Sequence, residues 1–157
     1  MGKLRIVCVG KSKEKWLIEG INQFSQKIQR YCDFDIVEIN DRQIKNKDIN
    51  FMVKQESEEL RKKLDSTMQN IYCDIKGTIF STEKLAALME KKMEEGSAHF
   101  QFFIGGAYGI TEQLSKMFDH KISFSPMTFN HQIFKLLLVE QLYRCQTIIA
   151  GHPYHHS

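Results

Sequence analysis

Residues 151–157, GHPYHHS, place His152, Tyr154, His155 and His156 within seven positions. Imidazole and phenol groups take, give or orient protons, and hydrogen-bond to bases or phosphates. Three readings are open for such an ending. It is a frayed terminus, a remnant of a purification tag, or part of an active site. Tags are normally unbroken histidine runs, whereas this one is interrupted by Pro153 and Tyr154.

Two loops offer backbone chemistry. In IGGAYG, residues 104–109, an apolar run ends directly in Gly105 and Gly106, with Gly109 three positions on. The spacing is not Gly-x-Gly-x-x-Gly, so the dinucleotide fingerprint is absent. Paired glycines at the carboxyl end of a parallel strand still let a backbone approach a ligand, or simply turn tightly. In SFSPMTFNH, residues 123–131, Ser125 and Thr128 carry hydroxyls and Pro126 fixes one backbone angle. Free amides and carbonyls beside them can read a base edge. The alternative is a capped helix entry with Asn130 as N-cap.

Other chemistries are poorly supported. Gly10-Lys11-Ser12 suggests a phosphate loop, but the earlier glycine of Gly-x-x-x-x-Gly-Lys-Ser would fall at position 5, which is Arg5. His152 and His155 lack cysteine or carboxylate companions at metal-ligand spacing, so no metal is expected. No Ser-His-Asp or Cys-His set follows from spacing alone.

The elements that must position these residues alternate in type. Residues 3–10, 34–39, 70–77, 100–106 and 121–125 form short β-rich runs, most of them continuously apolar. Between them, Leu17, Ile21, Phe24, Ile28 and Tyr31 mark one helical face. Ile49, Met52, Val53, Leu60 and Leu64 mark a second, after a polar stretch at 40–50 that is expected to be a mobile loop. Ser81 or Thr82 caps a third helix closed by Gly96, and Thr111 caps a short fourth. Alternation with apolar strands predicts an α/β fold: a single domain over 1–157 whose mainly parallel sheet carries helices on both faces.

Residues 133–151 form a final helix with apolar positions almost all round. One sheet face is too small a cover for it, so a homodimer interface is expected. The composition, 42% hydrophobic and 26% charged over 157 residues, is that of an ordinary globular domain. A net charge of +3 permits a polyanionic partner without requiring one. No apolar run reaches the roughly 18 residues of a membrane span, and the opening apolar stretch is short and β-branched for a signal peptide. Four cysteines without a C-x-x-C pair suit a reduced, cytoplasmic setting.

Three segments together, FFIGGAYGI, SFSPMTFNHQIFKLLLVEQLYRCQTI and the terminal HPYHH, resemble the RlmH family of small SPOUT-class methyltransferases. The opening KLRIVCVGKSKEKW fits as well, so the resemblance spans the whole chain. It implies a carboxyl-terminal trefoil knot, S-adenosylmethionine held by the knot loops, and a homodimer with its active site at the subunit interface. The implied reaction methylates N3 of a pseudouridine in 23S ribosomal RNA of the large subunit, on assembled ribosomes. Other outcomes compatible with the fold are a different RNA target or a non-catalytic ribosome assembly factor. The implied cofactor positions are Cys73, Gly105, Gly106, Phe124, Ser125, Pro126, Met127, Thr128 and Phe129. Tyr154, His155 and His156 are implied in catalysis, and His152, Tyr154 and His156 face the RNA. Two positions depart from the family: leucine is usual where Cys73 stands, and Arg or Lys where His156 stands.

Overall fold

A computed structural model describes residues 2–41 and 48–156. The 40–50 stretch, expected as a mobile loop, therefore lies largely outside the described residues. Five strands and five helices alternate: β1 (Lys3–Val9), α1 (Lys15–Ile28), β2 (Asp33–Ile39), α2 (Ile49–Arg61), β3 (Gln69–Ile79), α3 (Thr82–Glu94), β4 (His99–Ile104), α4 (Glu112–Ser115), β5 (His120–Ser123) and α5 (His131–Ile149). The sheet order is β2-β1-β4-β3-β5, and every pairing is parallel, as the apolar strands predicted. All five carboxyl ends consequently share one edge.

The strands feed two cores by simple alternation. Leu4, Ile6, Phe100, Phe102 and Ile71 point to the side covered by α1, α3 and α5. Val7, Val9, Phe103 and Tyr72 point to the side covered by Leu60 of α2 and Leu114 of α4. The expected caps are present. Asn130 Oδ1 accepts from the amides of Gln132 and Ile133, Ser81 caps α3 through the Lys84 amide, and Thr111 caps α4 through that of Leu114. Between the two candidates for the α3 cap, Ser81 is the one used.

The structure revises three expectations. First, α5 is covered within one chain. Leu138, Val139, Leu142 and Cys145 are fully buried against α1, α3 and the sheet, each contributing roughly 1.5–3 kcal/mol for the larger side chains. Only Ile133 and Leu137 of its apolar set stay open, at 41% and 37% exposure. Second, the buried stripe of α2 includes the polar pair Glu56 and Ser57 beside Leu60. Third, β3 does not stop at Gly77. It continues to Ile79 after residues 74–77 bulge outward, so that Ile122 of β5 pairs with both Cys73 and Thr78. A Cβ at Gly77 would lie 2.7 Å from the Lys121 carbonyl oxygen, which explains the glycine: the bulge returns against main chain.

Candidate active site

At the carboxyl edge, the β3 bulge, the 105–109 turn and the 123–131 loop surround a cleft of about 230 Å³. Cys73, Gly105, Gly106, Phe124, Ser125, Met127, Thr128 and Phe129 all line it, so eight of the nine positions that the resemblance implies for the cofactor meet in one place. Pro126 lies in the same loop and is not among the lining residues. Asp74, Ile75, His131 and Phe134 also line the cleft and were missed. The signal for Asp74 and Ile75 was the bulge, which a continuous strand reading hides.

Each wall has a local cause. Gly109 takes a positive φ of 79° and its amide donates to the Gly106 carbonyl at 3.1 Å, closing the turn. Side chains pack closely behind both Gly105 and Gly106. A Cβ at Gly105 would come within 2.8 Å of the Tyr72 hydroxyl, and one at Gly106 within 2.5 Å of Glu56 Oε1. The 124–129 loop is held by a Ser125 turn, whose Oγ accepts from the Met127 amide at 3.0 Å. Phe134 of α5 anchors it through Phe124 and Phe129, at centroid separations of 4.9 and 6.2 Å.

Burial shifts two acidic groups in and beside the cleft. Burial pushes the Cys73 thiol far up, so it stays a small protonated apolar group. Burial, aided by the nearby Asp41 charge, raises the Glu56 carboxyl. Behind the first turns of α5, Lys135 is 3% exposed and donates to Glu38 at 2.5 Å and to Ser12 at 3.0 Å. The Ser12 hydroxyl donates in turn to Gln132, and its amide to Glu38. That amide is thus committed to a carboxylate, which agrees with rejecting Gly10-Lys11-Ser12 as a phosphate loop.

The tail lies elsewhere. From His131, which lines the cleft, to Arg144, which holds the tail, α5 advances about 20 Å at its usual rise. Tyr154 packs edge-on against Tyr143 at 4.7 Å, with the Arg144 guanidinium 4.8 Å from its ring. His155 reaches Glu83 of α3 at 2.8 Å and Arg144 at 3.1 Å. His152 Nδ1 accepts from the Tyr154 amide, and His156 is exposed. A groove lined by Glu83, Leu137 and Gln141 runs beside the tail and shares Phe124 with the cleft. The structure therefore brings the cofactor set together and the tail set together, but does not join the two within one chain.

Residues 2–155 match the family model described as "Predicted SPOUT methyltransferase". The chain belongs to the SPOUT methyltransferase family. Among its relatives, the ribosomal RNA large subunit methyltransferase H of Acetivibrio thermocellus is 40% identical, covering 98% of this chain and 99% of that one. The proteins of the same name from Alkaliphilus oremlandii and Natranaerobius thermophilus are each 38% identical. They cover 97% and 98% of this chain and 98% and 99% of their own. With SPOUT membership comes the trefoil knot near the carboxyl end, a threading that ordinary connection rules exclude and composition never signals. Among the described residues no group of three or more metal-ligating side chains is present, and no helix is long and apolar enough to cross a membrane.

Proposed function

We propose that this SPOUT protein is the S-adenosylmethionine-dependent methyltransferase that modifies N3 of a pseudouridine in 23S ribosomal RNA, on the large subunit of assembled cytoplasmic ribosomes. The observation that carries the reading is the cleft, where three loops at the carboxyl edge expose glycine backbone and an aromatic shelf. These residues fit the cofactor. Gly105 and Gly106 leave backbone accessible, Cys73 and Phe134 offer apolar walls for an adenine, and Asp74 supplies a carboxylate for hydroxyls or an ammonium. Bound there, S-adenosylmethionine would supply a methyl group activated by its sulfonium.

The chain's own contribution is chiefly positioning. The attacking nitrogen gives up its proton as the new N–C bond forms, and that proton passes to water. The tail is poorly arranged to be the base. His155 Nδ1 accepts from Arg144, so its lone pair is occupied, while Nε2–H donates to Glu83. Burial first, and the Glu140 charge after it, raise the Tyr154 phenol, so it remains a donor. Tyr154, His155 and His156 accordingly orient the base, with His152 beside them. Their distance from the cleft of their own chain supports a homodimer in which one subunit's tail serves the partner's cleft. Exposed Met127, Phe129, Ile133 and Leu137 are apolar surface for that contact.

Mass spectrometry of large-subunit RNA from a strain lacking the gene tests the function. One methyl group should disappear from a pseudouridine and return with the wild-type gene. An unchanged modification pattern would reject the reading.

A further inference from the structure

The segment Gly10 to Trp16 has a charge and shape that the cleft does not explain. Lys11, Lys13 and Lys15 are all exposed, and none has a hydrogen bond or ion pair among the described residues. Glu14 and Glu19 are the carboxylates nearest in sequence, and Lys11 also acts on Glu38. Trp16 follows immediately, is 56% exposed, and has no ring contact among the described residues. A large indole left open in the first turn of a helix is unusual, because burying it would be strongly favourable.

The segment is also held firmly. Ser12, at its centre, is 7% exposed and makes three hydrogen bonds, to Glu38, Gln132 and Lys135. Leu17, next to the tryptophan, is buried in the main core. The lysines and Trp16 are therefore presented from a braced platform. Its brace is the first part of α5, and the same two turns carry His131 and Phe134 into the cleft. The platform stands beside the cleft, on the same edge of the sheet.

We propose that Lys11, Lys13, Lys15 and Trp16 form a docking surface for a single-stranded stretch of RNA flanking the target nucleotide. Three exposed lysines on one braced segment can contact neighbouring phosphates, and an open aromatic face accepts an unpaired base whatever its identity. The proposal rests on the ribosomal RNA reading above and extends it from the reacting base to its neighbours.

Trp16 is the only tryptophan in the chain, so its fluorescence reports on this surface directly. A 12-nucleotide oligouridylate should quench it at low salt, whereas inorganic polyphosphate should bind without quenching. The variant carrying Lys11→Gln, Lys13→Gln and Lys15→Gln should lower the salt slope of oligonucleotide binding by about 2, at roughly 0.7 per lost phosphate contact. Trp16→Ala should raise KM for ribosomes about tenfold, with Trp16→Phe partly restoring it. S-adenosylmethionine affinity and sedimentation should not change in any of these variants. An unaltered salt slope and unaltered KM, while the wild type methylates ribosomes, would overturn the surface and leave the function standing. Absence of methylation by a wild type that is still quenched by RNA would reject the function and keep the surface. Quenching by phosphatidylserine vesicles but not by RNA would make this a membrane contact and overturn the proposal.

Discussion

The imidazole of His155 sits 2.8 Å from the carboxylate of Glu83, joining the chain's last turns to the start of α3, 72 residues earlier. Arg144 approaches the other ring nitrogen at 3.1 Å, which fixes the proton on Nε2. An ending whose residues alone left a frayed terminus open is thus a docked one.

Removing it should cost stability. Ending the chain at Gly151 deletes the Tyr154 contact with Tyr143 and Arg144, worth about 1–2 kcal/mol, or a Tm lower by roughly 3–6 °C. Calorimetry should show S-adenosylmethionine binding intact and ribosome methylation collapsed. Methylation at the wild-type rate would mean that the docked tail has no catalytic part. Tyr154→Phe keeps the ring and should hold the Tm while slowing turnover.

Gly105 and Tyr72 form a pair whose effects should not add. Gly105→Ala places a methyl group 2.8 Å from the Tyr72 hydroxyl and 3.2 Å from Ile110 Cγ2, so cofactor affinity should fall about tenfold. Tyr72→Phe removes the nearer atom. In that background Gly105→Ala should recover most of the loss, giving a coupling of about 1 kcal/mol in a double-mutant cycle read by calorimetry. Strict additivity would show that the turn, and not the tyrosine, enforces glycine.

Neighbouring leucines of α5 should behave oppositely. Leu138→Glu puts an unpaired charge in a fully buried site and should prevent folding. Leu137→Glu, at a position 37% exposed, should leave a folded protein that sediments as a monomer at micromolar concentration. A dimer that survives Leu137→Glu, and also Ile133→Glu, would place the subunit contact on another face.

The Lys135–Glu38 pair should show in acid. Burial alone would raise Glu38, but hydrogen bonds from Lys135 and the Ser12 amide outweigh it and leave the carboxyl below its ordinary value of 4.5. A lowered folded pKa stabilises above the unfolded value and is lost as pH falls through the folded one. Urea midpoints should therefore drop below about pH 4.5, and this component of the drop should vanish in Glu38→Gln. Lys135→Met should cost about 2–3 kcal/mol at neutral pH, less than a fully enclosed pair because Glu38 is 32% exposed.

Much of this fold was legible because its signals are local. Apolar strands gave the parallel sheet, and Asn130, Ser81 and Thr111 gave helix starts one hydrogen bond at a time. The 105–109 and 123–131 loops stood out by their glycines and proline, but those residues left a plain turn and a helix entry equally open, and only the family resemblance pointed them at a cofactor. What escaped depended on distant partners. Glu56 and Ser57 are buried because α2 faces the 105–111 turn, where the Thr111 amide donates to the Ser57 hydroxyl. The β3 bulge exists because Gly77 meets β5, more than forty residues on. The cover over α5 comes from α1 and α3 together, and no periodicity within α5 reveals it.

The Ser12, Glu38, Gln132 and Lys135 cluster spans 120 and 123 residues of sequence in its Ser12 contacts with α5. Strand β1, likewise, finds β4 some 96 positions later, through Lys3 and His99. Pairings so remote make closure late in folding, since the intervening loop must be ordered first. During synthesis, the cleft therefore lacks the wall formed by His131 and Phe134 until α5 has emerged.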